Sequence, residues 1–255
     1  GRIVDVNADA FYDITFNGAG DWTFTDPTLT VGNDMTITAG DVTLPTGTTT
    51  VSGSFDNTGG SFDASQSLVV FSATGGGNTI EFGGSDLSTT TFDGVGGSWT
   101  IVDTNATNTG SFTVTNGAVT LPSGVFAVGS NFTNAGTLTH NSSEVRLYNA
   151  IIGGTSLTLD GDDLYSVTVA DSADVTLTDT SAALLGDLTI ASGSFTSATG
   201  TLTIGGSFDA TGGTFVHASG SLLFNSSDTG ETVDPGVSDL YNVVFGSGSG
   251  GWTLQ

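Results

Sequence analysis

The sequence predicts an all-β chain, wound as a parallel β-solenoid with coils of about 20 residues inside a 76–77-residue superrepeat. Three observations predict it. One phrase returns four times, as "FYDITF" at 11, "LSTTTF" at 87, "LYSVTV" at 164 and "LYNVVF" at 240, in steps of 76, 77 and 76. Within each repeat, apolar or Thr landmarks fall at every sixth or seventh position, and three such steps close a coil of about 20 residues. Between the landmarks stand Gly-rich tetrapeptides, such as "TAGD", "NTGG", "ASGS" and "ATGG", where glycine reaches positive φ without strain.

The whole chain, 1–255, reads as one array. Residues 1–10 are the tail of a repeat, 11–86 the first full repeat, 87–163 the second, 164–239 the third and 240–255 the head of a fourth. In the first repeat the landmarks are Met35, Val42, Thr49, Phe55, Phe62 and Val69. The second repeat supplies Phe112, Val119, Phe126, Phe132, Leu138 and Val145, and the third Leu188, Phe195, Leu202, Phe208, Phe215 and Leu222. Around them "MTIT", "VTLP", "FTVT" and "LTIG" alternate apolar and polar residues, the pattern of a strand with one buried face. One coil is then a short strand, a turn and a return to the same side. A repeat holds close to four coils and the chain about 13, with Phe55 over Met35, Phe208 over Leu188 and Phe215 over Phe195. "TSAALLGDL" (180–188) is the nearest approach to a helix and is too short and Gly-broken for one. The competing arrangement is a string of small β-sandwiches, one per repeat. It needs longer strands and linkers, and the sequence shows neither.

Composition narrows the function. Two basic residues, Arg2 and Arg146, stand against 26 acidic ones, for a net charge of -24. Phosphate binding needs basic side chains, so nucleic acid is excluded as a partner, and an anionic membrane surface is disfavoured. Divalent cations are the natural counter-partners. The absence of Cys rules out a disulfide scaffold, and no apolar run approaches the roughly 20 residues of a membrane helix. The 16 Phe and regular apolar spacing mark a folded chain rather than a disordered one. The first residue is not Met, which reads as processing or as a segment of something longer.

The segment "LTIASGSFTSATGTLTIGGSFDATGGTF" (188–215) resembles the β-strand repeats of large prokaryotic surface proteins, including filamentous-haemagglutinin and autotransporter-like β-solenoid adhesins. "SDLYNVVFGSGSGGWTL" (238–254) looks like the recurring head of such repeats. The resemblance covers the whole chain and brings no shared catalytic residues. It implies secretion, an extracellular or cell-surface location, and a structural or adhesive role rather than an enzymatic one.

Several residues are candidates for chemistry. Asp9, Asp86, Asp163 and Asp239 precede the aromatic phrase in every repeat, either as Ca²⁺ ligands or as Asx turns ahead of a strand. "DGDD" gives the densest acidic cluster, and Asp160, Asp162 and Asp163 are the best Ca²⁺ candidate, though the nonapeptide of calcium β-rolls is missing. His140 and His217 occupy equivalent positions in successive repeats and read as isolated surface histidines. Trp22, Trp99 and Trp252 could form a row for stacking glycans or could pack inward. Arg146 reads as the partner of a nearby carboxylate. Sequons at Asn105, Asn131, Asn141 and Asn225 are no more than chance supplies in so Ser/Thr-rich a chain. No nucleophile–base pair can be assembled without Cys or Lys, which disfavours a β-helix carbohydrate-active enzyme.

The leading expectation is a structural extracellular or surface protein, forming a fibre, stalk or filament. Neither end of the sequence carries a polar cap, so coils are expected to continue along the same polypeptide or onto a neighbouring copy. A cation-dependent or glycan-binding adhesin is the alternative. Ice binding is a further one, because "TLT", "TIT" and "TTT" occur near 28–50. These begin at 28, 36 and 48, which reads as a departure from the coil register that a flat ice face needs.

Overall fold

The computed structural model describes residues 1–7, 9–148, 154–246 and 248–255. The second repeat, 87–163, therefore includes a stretch, 149–153, outside the described residues. The described residues contain no helix, and parallel strands stack in about 12 coils as a β-solenoid. The chain divides into two compact units, Gly1–Ser123 with Asn134–Leu138, and Gly124–Thr133 with Thr139–Gln255.

Each unit is built from inward columns, one residue per coil. In the first unit a column runs Phe11, Val31, Val51, Phe71, Phe92 and Val114. A second runs Met35, Phe55, Ile80 and Ile101, and a third Trp22, Val42 and Phe62. The second unit has the same three sides. Leu164, Leu184, Ile204, Phe224 and Phe245 form one, Val145, Val167, Leu188, Phe208 and Val233 the next, and Val175, Phe195 and Phe215 the third. Period-two alternation turns these side chains inward, and every landmark named from the sequence is buried, while Phe11 and Trp22 are half-buried and Phe245 is exposed. Each fully buried Phe or Leu contributes about 1.5–3 kcal/mol. The aromatic rings also meet one another, Phe55 edge-on to Phe62 at 5.0 Å and Phe71 stacked on Phe92 at 4.9 Å.

The superrepeat and the coil do not divide as the sequence suggested. Phe11's column skips Leu87, its counterpart one repeat later, which pairs instead with Asn108. Leu164's column likewise skips Leu240 and takes Phe245. Four full coils, each as long as the step from Phe71 to Phe92 or from Phe92 to Val114, outrun one repeat. The repeat stops short of closing the fourth coil, so its successor starts on a neighbouring side. Long coils, such as Phe208 to Val233, also bring the total to about 12 rather than the 13 expected.

Strands are also longer than expected at one corner. Ile14–Phe24 and Thr89–Ile101 run through the Gly-rich stretches that read as turns, shifting register at Asn17–Asp21 and Asp93–Ser98. Trp22 and Trp99 end these passages. Their rings lie against Gly40 and Gly117 of the next coil, at φ +86° and +92°, where any Cβ would collide with the indole. Where Val175 replaces Trp, the passage breaks into separate strands, Ser166–Ala170 and Asp174–Leu177. The segment at 180–188 holds a strand, Ala182–Leu184.

One register expectation is reversed. The Thr tripeptides at 28 and 48 do share a register, Thr28 opposite Thr48 and Thr30 opposite Thr50, while Thr36 lies on a different side opposite Asp56.

Candidate functional site

Two sets of carboxylates and hydroxyls recur with the superrepeat, and both act on backbone. In the first, the residue just before an inward landmark accepts a hydrogen bond from the backbone N–H at the same position one coil on. Asp13 accepts from Asp34 N–H at 3.1 Å, Asp34 from Ser54 at 2.8 Å, and Ser54 Oγ from Thr79 at 3.0 Å. Two repeats further on, the same ladder reads Ser166 from Asp187 at 3.0 Å, Asp187 from Ser207 at 2.7 Å, and Ser207 from Thr232 at 3.0 Å. Asn131 accepts from Ser156 in the repeat between.

The second set is Asp26, Asp103 and Asp179, one in each repeat and in step with it. Asp26 accepts from Val6 N–H, Asp103 from Phe82 and Gly83, and Asp179 from Leu159 and Asp160. A charged acceptor on two backbone donors is among the stronger hydrogen bonds a surface can make. These Asp residues, rather than Asp9, Asp86, Asp163 and Asp239, hold the turns of the preceding coil. The latter series follows turns closed by backbone bonds, Asp9 N–H to Val6, Ser85 to Phe82, Asp162 to Leu159 and Ser238 to Pro235.

The Ca²⁺ candidate falls in one of those turns. Asp160 and Gly161 take φ of +50° and +93°, and Asp162 and Asp163 border a shallow depression of about 260 Å³ shared with Ser181 and Thr203. Among the described residues no group of three or more His, Asp or Glu side chains converges as a metal would need. Carboxylates crowd elsewhere. Asp56 and Glu81 are register partners, and loss of solvent, with the Asp56 and Asp103 charges, holds the Glu81 carboxyl above its ordinary value.

The histidines are not isolated. His140 stacks on Tyr165 at 5.8 Å and His217 on Tyr241 at 5.3 Å. Each Nδ1 accepts the N–H two positions on, from Ser142 and Ser219, both at 2.9 Å. The equivalent position in the first repeat is Asp63, which accepts from Ser65 in the same way; the Ser65 hydroxyl and N–H hold its carboxyl below the usual value. Trp99 is buried and Trp22 half-buried beneath the Arg2 guanidinium at 5.7 Å, so these indoles form no exposed row. Arg146 pairs with Asp171 at 3.1 Å, with both side chains about half exposed.

Sequence reasoning missed both acceptor sets. Their sequence mark is faint: a Ser, Asp or Asn before the landmark in "NDM", "GSF", "SNF" and "GDL", and the Asp of "FTDP", "IVDT" and "LTDT". Comparison with known family models, curated proteins and solved structures finds no match for the chain.

Proposed function

We propose that the chain is a structural repeat protein of the cell surface or extracellular space, part of a stalk, fibre or filament built coil upon coil. The observation that carries this reading is the ladder from Asp13 to Thr79 and its copy from Ser166 to Thr232. Each rung uses a side chain of one coil to fix the backbone of the next, so along these ladders one coil is a template for its successor. The recurrent polar residues thus serve stacking, and the reading gives the chain no catalytic role. The strands Asn242–Phe245 and Gly251–Leu254 present Val244, Phe245 and Leu254 at 49%, 44% and 69% exposure. In this reading a further coil covers them, from the same polypeptide or from a neighbouring copy. Immunogold electron microscopy of native material tests it. Label on fibres or a surface layer supports the reading; label confined to the cell interior overturns it.

A second reading, a glycan-binding adhesin, is favoured by one feature. A depression of about 260 Å³ joins the partly exposed ring of Tyr165 to Glu144, Asp187, Ser142 and Thr189. An apolar ring with a few convergent polar groups is the usual make-up of a small-ligand site. Glycan arrays with and without EDTA, repeated with Tyr165→Ala, separate this adhesin from a passive scaffold.

A further inference from the structure

One side of the Gly1–Ser123 unit differs from the other two. Its strands are Thr28–Val31, Thr48–Val51, Leu68–Phe71 and the first parts of Thr89–Ile101 and Phe112–Thr120. Leu29, Val31, Val51, Val69 and Phe71 face the core, so the alternate residues face outward. One outward column runs Thr28, Thr48, Leu68 and Thr89, in unbroken register. The other runs Thr30, Thr50, Val70, Thr91 and Thr113. Neighbours down a column stand about 4.8 Å apart, and the two columns about 6.6 Å apart along the strands.

The two columns thus form a rectangular net of methyl groups, with hydroxyls beside them on every paired coil but that of Leu68 and Val70, and no charge in it, in a chain that carries 26 carboxylates. Asp13, Asp34, Asp56 and Glu81 occupy a second side of the same unit, and Asp21, Asp41 and Asp63 the third. The paired acids named line two sides, and Asp93, opposite Asn116, stands just past Thr91 at the edge of this side, outside the two columns.

The charge pattern selects the occupant. A second copy approaching side-on, at net charge -24, meets no basic group here to offset the repulsion, whereas contact end-on gains backbone pairing. The two columns hold no aromatic ring on which a sugar could stack, and no basic group for an anion. An uncharged surface with a two-dimensional repeat remains. The spacing down each column lies close to one oxygen repeat of hexagonal ice, and the spacing between columns falls about a tenth short of the other, a gap that outward splay of the side chains narrows. Thr offers both the methyl that orders water and the hydroxyl that joins its hydrogen-bond network. We propose that this side of the unit binds ice, with Thr48, Thr50, Thr89 and Thr91 around its centre. The activity is additional to the structural role and does not depend on it.

The test uses the full chain, fluorescently labelled, in ice-affinity partitioning and in thermal-hysteresis measurements. The parent is expected to enter growing ice and to hold a gap between melting and freezing. Thr50→Tyr interrupts the net beside its central coil and is expected to lose both effects with an unchanged melting curve. Thr43→Tyr, on the acidic side opposite Thr23, is expected to keep them. A parent excluded from ice with no hysteresis overturns the proposal. So does a Thr50→Tyr variant as active as the parent. Either failure leaves the fibre reading intact, because that reading is scored by location and assembly.

Discussion

Replacing Phe208 probes the stacked core at its most demanding point. The side chain is fully buried between Leu188 and Val233, edge-on to Phe215 at 5.2 Å and tilted to Phe224 at 6.3 Å. Phe208→Ala removes the ring and leaves a cavity, at a cost of about 3–5 kcal/mol. For a chain of this size that corresponds to roughly 6–20 °C in melting temperature. Phe208→Asp adds the desolvation of a carboxylate with no cation near, several kcal/mol more at neutral pH. Because burial raises the pKa of such a carboxyl, the extra cost fades in acid. Phe208→Leu, which keeps most of the volume, is expected to cost under about 1.5 kcal/mol. In a solenoid the loss is local, since each coil leans only on its neighbours. Urea melts should therefore be paired with hydrogen exchange, which is expected to show the greatest loss of protection over 188–233. A Phe208→Asp variant within about 0.5 kcal/mol of the parent, the range of a surface change, would refute the buried column.

Two further perturbations act on charge. Glu81 is held above its ordinary value of 4.5, so its ionisation opposes folding as pH rises past that point. Glu81→Gln is expected to raise the melting temperature at pH 7, with the gain disappearing in acid, where the parent carboxyl is protonated in both states; a loss of stability at neutral pH contradicts this. Self-repulsion among 26 acids and two bases predicts that added salt stabilises the fold. Na⁺ and Ca²⁺ should do so alike at matched ionic strength; a clear excess from Ca²⁺ would show specific binding, and its loss in Asp162→Asn with Asp163→Asn would place the site at Asp160, Asp162 and Asp163.

The inward columns were legible because burial writes itself into sequence as period. Phe55, Phe132 and Phe208 stand out at any alignment, and each is buried as its spacing required. What the spacing could not show was the side of the coil on which a residue lands. The sides differ in length by a residue from step to step, and corners absorb a few more, as at Asn17–Asp21. Hence Thr28 and Thr48 looked unrelated once Thr36 was read with them, although pairing puts them opposite each other. The ladder from Asp34 to Ser54 was hidden for another reason. Its partners are a side chain and a backbone N–H one full coil apart, and the backbone half of such a bond leaves no mark on the sequence. The Asp179 bonds to Leu159 and Asp160 were hidden in the same way, which drew attention to the denser "DGDD" beside them.

Coil-on-coil register underlies every part of this account, and the absence of Cys from the chain makes it directly measurable. Thr30→Cys with Thr50→Cys places two thiols on register partners of adjacent parallel strands. Their Cα atoms stand about 4.8 Å apart, inside the range a disulfide spans. The account predicts that this pair closes an intramolecular disulfide on mild oxidation of the folded protein. Thr36→Cys with Thr50→Cys, closer in sequence but on different sides, should remain as free thiols. Efficient closure of the 36–50 pair, or none of the 30–50 pair in folded protein, would contradict the stacked solenoid.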